Sequence, residues 1–192
     1  MKTLFIINPI SGKGSKDKLI SRLDEMGFEY VVTSRAGEGE ELARKATQDV
    51  VVAVGGDGTL NEVGRGILGT GKTLGIVPCG SGDGLARFLD IPHDVGKAVD
   101  VITAGKTIPL DAGLINGHPF FSVCGVGFDA NVSKAFAEAG RRGVLTYVEE
   151  ALRLWHNYSP EEFTIDIDGK KWTQEAVLVT VANSNQWGND AA

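Results

Sequence analysis

Over the first hundred residues, short wholly apolar runs alternate with longer segments whose apolar positions recur every three or four residues. Lys2–Ile7 and the nearly pure β-branched run Val50–Val54 lack a polar side, the pattern of strands covered on both faces. Phe28–Thr33 and Leu74–Val77 read as two further strands. Ser15–Met26 places Leu19, Ile20, Leu23 and Met26 on one helical face, and Gly27 ends it. Glu40–Thr47 is a short second helix, Thr59–Leu68 carries Leu60, Val63 and Ile67 at helical spacing, and Gly84–Leu89 and Val95–Thr103 follow as helical stretches. Strand–helix units of this length fold by right-handed crossovers into an open parallel sheet. The expectation for residues 1–105 is a Rossmann-like α/β domain.

After about Gly105 the pattern changes. Ile108–Ile115 and Pro119–Gly125 flank Asn116-Gly117, a strong hairpin signal. Phe163, Ile165 and Ile167 alternate along a strand that meets Asp168-Gly169, and Gln174–Ala182 reads as the returning strand. Two helices, around Ala130–Ala139 and Val144–Asn157, lie between the hairpins. Residues 106–192 are therefore expected to form a β-rich antiparallel second domain. One and a half hairpins bury little apolar surface, so that domain reads as incomplete, breaking off around Trp187–Ala192.

Composition narrows the function. With 19 basic against 25 acidic residues and a net charge of −6, the chain lacks the cationic surplus of a nucleic-acid backbone binder. Cys79 and Cys124 stand alone, without metal or redox spacing, as in a reduced cytoplasmic protein. The opening MKTLFIINPI has too short an apolar run for a signal peptide, and no segment reaches the ~20 apolar residues of a membrane span. Glycine departs from the ordinary: 26 of 192 residues, nearly double the usual ~7%.

Those glycines gather where predicted parallel strands end. The first strand empties into Asn8-Pro9-Ile10-Ser11-Gly12-Lys13-Gly14-Ser15, the third into Gly55-Gly56-Asp57-Gly58-Thr59, and the fourth into Pro78-Cys79-Gly80-Ser81-Gly82-Asp83-Gly84. In an open α/β sheet these ends form the ligand crevice. Glycine there bares backbone N–H groups, and helix N-termini add the positive end of a dipole, so three such loops describe a phosphate site. Two familiar signatures fail. Ser11-Gly12-Lys13-Gly14 lacks the earlier glycine and the Ser or Thr of a P-loop. Gly64-Arg65-Gly66-Ile67-Leu68-Gly69 has dinucleotide-type spacing but falls within a helix. His93, His118 and His156 are scattered without ligand spacing.

Asp57 is the residue that points to chemistry. A carboxylate among three glycines in a phosphate-facing loop repels its ligand unless it binds Mg²⁺ or accepts a proton from an attacking hydroxyl. The structural alternative is a cap on the following helix, by Asp57 or Thr59. Glu62, one turn on, is a candidate for a ribose or a metal-bound water, and Lys13 for a phosphate.

The succession NPISGKG, GGDGTLNEV, PCGSGDGLA and GVGFDA resembles the diacylglycerol/sphingosine kinase family, related to NAD kinases and phosphofructokinases, over residues 4 to about 190. The resemblance implies an ATP- and Mg²⁺-dependent kinase in which a nucleotide domain precedes a β-rich lipid-binding domain. It implies nucleotide contacts from Asn8, Pro9, Ser11, Gly12, Thr33, Gly55, Gly56, Asp57, Gly58, Thr59, Asn61, Glu62, Gly80 and Ser81. The resemblance further implies that Asp57 stands near the transferred phosphate and that Asp129 of GFDA faces the lipid headgroup, as in the sphingosine-type branch. The third loop, Gly80-Ser81-Gly82-Asp83-Gly84, departs from the diacylglycerol-type Gly-Thr-x-Asn-Asp and is closer to the sphingosine-type Gly-Ser-Gly-Asn, with Asp83 in place of Asn. The acceptor, a diacylglycerol- or sphingosine-type lipid met peripherally at a membrane surface, stays open, as does assembly into a homodimer. Residues around Phe120–Phe128 and Val144–Trp155 are candidates for acyl chains, although Val144, Val148, Ala151 and Trp155 also make an ordinary core stripe. A soluble-substrate kinase of NAD-kinase type and a nucleotide-binding module without turnover are the alternatives.

Overall fold

The structure, a computed structural model, describes residues 1–12, 16–139 and 144–184. They fall into two compact units: Met1–Ser122 with Asn183 and Ser184, and Val123–Ala182. In the first unit, β1 (Thr3–Ile7), β2 (Glu29–Val32), β3 (Val50–Gly55) and β4 (Thr73–Pro78) form a wholly parallel sheet in the order β2-β1-β3-β4. Alternate residues of these apolar strands point to opposite faces, and each face has its own core. Phe5, Ile7, Val50, Val52 and Val54 pack with Leu19 and Leu23 of α1 (Lys16–Met26) and Ala98 and Val99 of α5 (Val95–Ala104). Ile6, Val51, Ala53 and Ile76 pack with α2 (Glu38–Lys45), α3 (Asp57–Ile67) and α4 (Gly84–Phe88). This is the expected open α/β sheet. The strand order reverses between β1 and β3, and in doubly wound sheets a crevice opens at that reversal.

Local chemistry sets the ends of the elements. Gly27, at φ +68°, takes the left-handed turn that stops α1. The predicted first residue of that helix, Ser15, lies outside the described residues. α3 begins two residues earlier than Thr59, because Gly56 is extended (φ −93°, ψ −169°) and its carbonyl accepts from Leu60 N–H.

Two long apolar runs each divide into two strands. The Asn116-Gly117 hairpin exists, with both residues at positive φ, but joins only β5 (Gly113–Ile115) and β6 (His118–Phe120). The run Pro119–Gly125 continues as a separate β7 (Val123–Gly127). Gln174–Ala182 likewise splits into the end of β9 (Lys170–Ala176) and β10 (Leu178–Ala182). In each case the chain changes partner: β6 pairs with β5 and β9 with β8 (Glu161–Ile167), whereas β7 and β10 pair with each other. The first unit therefore runs past residue 105. Phe121 is buried, and its ring sits where a Cβ on Gly64 of α3 would fall 2.6 Å away. The returning Asn183 joins the same unit, its N–H donating to Ser122 O at 2.7 Å and its Nδ2 to Phe121 O at 3.1 Å.

The second unit adds α6 (Phe128–Glu138) and α7 (Val144–Trp155) to these strands. Along the predicted core stripe of α7, Ala151 is half-buried and the Val144 side chain lies outside the described residues. Val148 is 45% and Trp155 58% exposed, and with Leu145 and Leu152 they form an open apolar stripe. The inward side carries Thr146, which is buried, and Tyr147, rotated by about one residue, or ~100°, around the helix.

Candidate functional site

Strand register aligns the carboxyl ends of the first unit's sheet: Ile7 pairs with both Val32 and Val54, and Val54 with Val77. The three glycine-rich loops accordingly leave one edge. In the first, Asn8 is tied across to the second, its Nδ2 donating to Thr59 Oγ1 at 3.0 Å while its Oδ1 accepts from Ile10 N–H at 3.0 Å. Pro9 and Ser11 are half-buried beside it, and Gly12 turns the chain at φ +70°. Lys13, Gly14 and Ser15 of this loop lie outside the described residues. Thr33, at the end of β2, is buried and donates both its N–H and its hydroxyl to Ile7 O.

The second and third loops interlock. A Cβ on Gly55 would lie 2.4 Å from Thr59 Oγ1, and one on Gly80 2.7 Å from Gly56 Cα. Asp57 is the first residue of α3, and its carboxylate reaches into the third loop, where Oδ2 accepts from Asp83 N–H and Oδ1 from Gly84 N–H, each at 2.9 Å. The carboxylate thus spans two loops rather than capping its own helix. Asn61 turns back, donating from Nδ2 to Asp57 O at 3.0 Å. Gly58 and Ser81 are exposed at the rim.

Glu62 lies five residues beyond Asp57, about 140° around the helix. Its oxygens face α2, accepting from Gly37 N–H at 2.9 Å and Gly39 N–H at 3.1 Å. Asp129, in the second unit, accepts from the Tyr147 hydroxyl at 2.7 Å. Burial, and then that bond, push the Tyr147 phenol up to about 12.

Asp83 was noted in the sequence only as a departure from a motif. It is 3% exposed, sits in the left-handed region at φ +50°, and accepts from Gly80 N–H at 2.9 Å. Burial, followed by the charge of Asp57, pushes its carboxyl up to about 6, against the pull of Gly80 N–H and Arg87. His93, read as isolated, places Nδ1 3.5 Å from Asp83 Oδ2. The signal available in the sequence was a second carboxylate in a glycine loop, the same reasoning that singled out Asp57.

The raised carboxyl has a signed consequence. Ionised Asp83 is disfavoured in the fold, so its cost is fully present above pH about 6 and disappears below its ordinary value of 3.8. Asp83→Asn removes the charge and keeps an acceptor for Gly80. We expect it to gain about 3 kcal/mol at pH 8 but only about 1 kcal/mol at pH 4.5. Urea unfolding at both pH values measures this, and an equal gain at both would refute it.

Among the described residues no cluster of three or more His, Cys, Asp or Glu side chains could hold a metal ion. A cavity of about 600 Å³ follows β4, lined by residues such as Leu74, Ile76, Ile102 and Phe121, and none of the three loops lines it. No helix among the described residues is long and apolar enough to cross a membrane.

Residues 2–115 match the family model described as the diacylglycerol kinase catalytic domain. Residues 122–191 match the YegS C-terminal NAD kinase beta sandwich-like domain. The chain is 32% identical over 197 residues to a Bacillus subtilis (strain 168) protein named diacylglycerol kinase, covering 95% of this chain and 65% of that protein. To a Staphylococcus carnosus (strain TM300) protein of the same name it is 28% identical, with 94% and 63% covered. The chain thus spans less than two thirds of the length of these curated relatives. A crystal structure of a diacylglycerol kinase from Bacillus anthracis str. Sterne superposes with a TM-score of 0.72 at 27% identity, over 96% of this chain and 64% of that one. A second from the same organism gives 0.78 at 28% identity, over 100% and 69%.

Proposed function

This chain belongs to the diacylglycerol kinase catalytic-domain family, and on that premise we propose that it carries the nucleotide site of an ATP-dependent lipid kinase, which moves the γ-phosphoryl group to a lipid hydroxyl. The observation that carries the reading is the meeting of three glycine loops and Asp57 on one sheet edge. Phosphoryl transfer asks a protein mainly for positioning and electrostatic stabilisation. Asn8, Ser11, Gly12 and Thr33 border the phosphates from the β1 and β2 side, and Gly55 to Thr59, Asn61, Gly80 and Ser81 from the other. Glu62, which accepts from Gly37 and Gly39 N–H beside α2, is assigned to the frame of the site.

Asp57 is the residue assigned to the transfer step. Each oxygen holds one backbone N–H and keeps further lone-pair capacity toward a hydroxyl proton or a hydrated cation. Mg²⁺ ordinarily takes one or two protein carboxylates together with substrate phosphates, and Asp57 would supply one such carboxylate. Once bound, that cation neutralises charge on the phosphates. Asp129, held by Tyr147, is assigned to the acceptor headgroup. The exposed Leu145, Val148, Leu152 and Trp155 of α7 support a peripheral meeting with acyl chains.

The test is transfer of label from γ-labelled ATP with Mg²⁺ to diacylglycerol, sphingosine, ceramide and NAD, using the gene product that carries this chain. A labelled lipid establishes the reading and names the acceptor. Label in NAD alone replaces it with a soluble-substrate kinase, and ATP binding without any product replaces it with a nucleotide-binding module.

A further inference from the structure

We propose that Asp83 is a positioning residue for this site, its carboxylate clamping Gly80 N–H so that the third loop holds the Asp57 carboxylate toward the phosphates. The inference rests on the nucleotide-site reading above and adds a residue to it.

Its basis is a closed set of contacts. The Asp83 side chain is 2% exposed and curls back over Ser81-Gly82, with Oδ1 and Oδ2 at 3.1 and 2.9 Å from Gly80 N. A Cβ on Gly80 would fall 2.6 Å from Asp83 Oδ1, so Gly80 is glycine in part because this carboxylate covers it. From the same residue the backbone N–H donates to Asp57 Oδ2, and the next N–H donates to Asp57 Oδ1. Both depend on the left-handed turn at Asp83 (φ +50°, ψ +44°), a conformation that Asp and Asn adopt far more readily than other side-chain-bearing residues. The side chain of Asp83 thereby shapes the loop, and its backbone anchors Asp57. His93 lies on the outer side of the same carboxylate, and the carbonyl of Gly82 accepts from Arg87 Nε at 2.9 Å. The clamp thus has support beyond the loop itself.

A carboxylate that only filled space would affect stability alone. A positioning residue also sets how well the phosphates fit. Asp83→Ala removes the acceptor for Gly80 and favours leaving the left-handed turn, whereas Asp83→Asn keeps both. We expect Asp83→Ala to raise the Kd for Mg·ATP at least tenfold and to lower kcat further than the binding loss explains. Asp83→Asn should restore both to within about threefold of the unaltered protein. Binding is measured by calorimetry and transfer with the acceptor panel, on variants whose thermal unfolding remains cooperative. Unchanged ATP affinity in Asp83→Ala overturns the proposal. So does Asp83→Asn behaving as poorly as Asp83→Ala, which would make the charge itself a ligand contact. Should Asp83→Ala lose ATP affinity and Asp83→Asn recover it while the unaltered protein labels no lipid, the positioning role stands and the lipid-kinase reading fails. An unaltered protein that binds no ATP overturns both.

Discussion

Asp57→Ala is expected to reduce phosphoryl transfer by ~10³-fold or more and to destabilise the first unit by about 2–4 kcal/mol. Both effects come from one side chain. Its two oxygens accept the N–H groups of Asp83 and Gly84, and the variant leaves both donors without a partner while freeing the third loop from the second. Asp57→Asn separates the two roles. Its amide keeps one acceptor and turns an NH₂ group toward the other donor, so about half the stability should return. Transfer should not return, because a neutral amide takes no proton and, without the negative charge, holds a hydrated cation far more weakly. Labelled-ATP transfer, together with urea unfolding of the same samples, reads both quantities. Wild-type turnover in Asp57→Asn would reduce Asp57 to a structural brace. A large loss of transfer with no loss of stability would show that the loop bonds contribute little to the fold.

Gly66→Val should be the most damaging single change away from the loops, at about 3 kcal/mol or more. α2 and α3 meet backbone to backbone at this point. A Cβ on Gly66 would lie 2.6 Å from both Ala43 Cβ and Glu40 O, and 3.1 Å from Arg44 N. None of these is the flexible end of a side chain that can swing aside. The branched valine adds two methyl groups to the overlap, and relief requires the helices to separate. That would also stretch the Arg65 Nε to Glu40 pair, which spans the same seam at 2.9 Å. Denaturant unfolding measures the loss, and a midpoint within experimental scatter of the unaltered protein would refute the close approach.

Gly66 also shows what spacing can and cannot tell. Gly64, Gly66 and Gly69 imitate a dinucleotide fingerprint, and their position inside or at the end of a helix, not after a strand, is enough to dismiss it. What they do instead needed coordinates: Gly64 faces the Phe121 ring, Gly66 faces α2, and Gly69 leaves the helix at φ +74°. The parallel sheet was legible because Val50–Val54 and its neighbouring strands are apolar on both sides, and only a doubly covered strand has that composition. The divisions of Pro119–Gly125 and Gln174–Ala182 were not legible, because no turn residue marks the point where a strand changes partner. At the site, glycine density located the loops, and close packing accounts for several of those glycines. Gly56, Gly80 and Gly82 lie where a Cβ would meet one another's backbone or the carboxylates of Asp57 and Asp83. The spacing therefore records carboxylate packing. Glu62 faces α2 because five residues from Asp57 is not a whole number of helical turns.

The way the chain leaves and re-enters the first unit has a consequence for engineering. Val123 and Ala182 are the two ends of the second unit and are paired neighbours in the β7–β10 ladder. Immediately outside them, Asn183 N–H donates to Ser122 O at 2.7 Å. The exit and entry points are thus within one hydrogen bond of each other, the topology of a cassette inserted into a host domain. A short turn joining Ser122 to Asn183 would close the host without rerouting any strand of its sheet. By the same logic, Val123–Ala182 can be removed or exchanged as one piece through a single two-stranded gate.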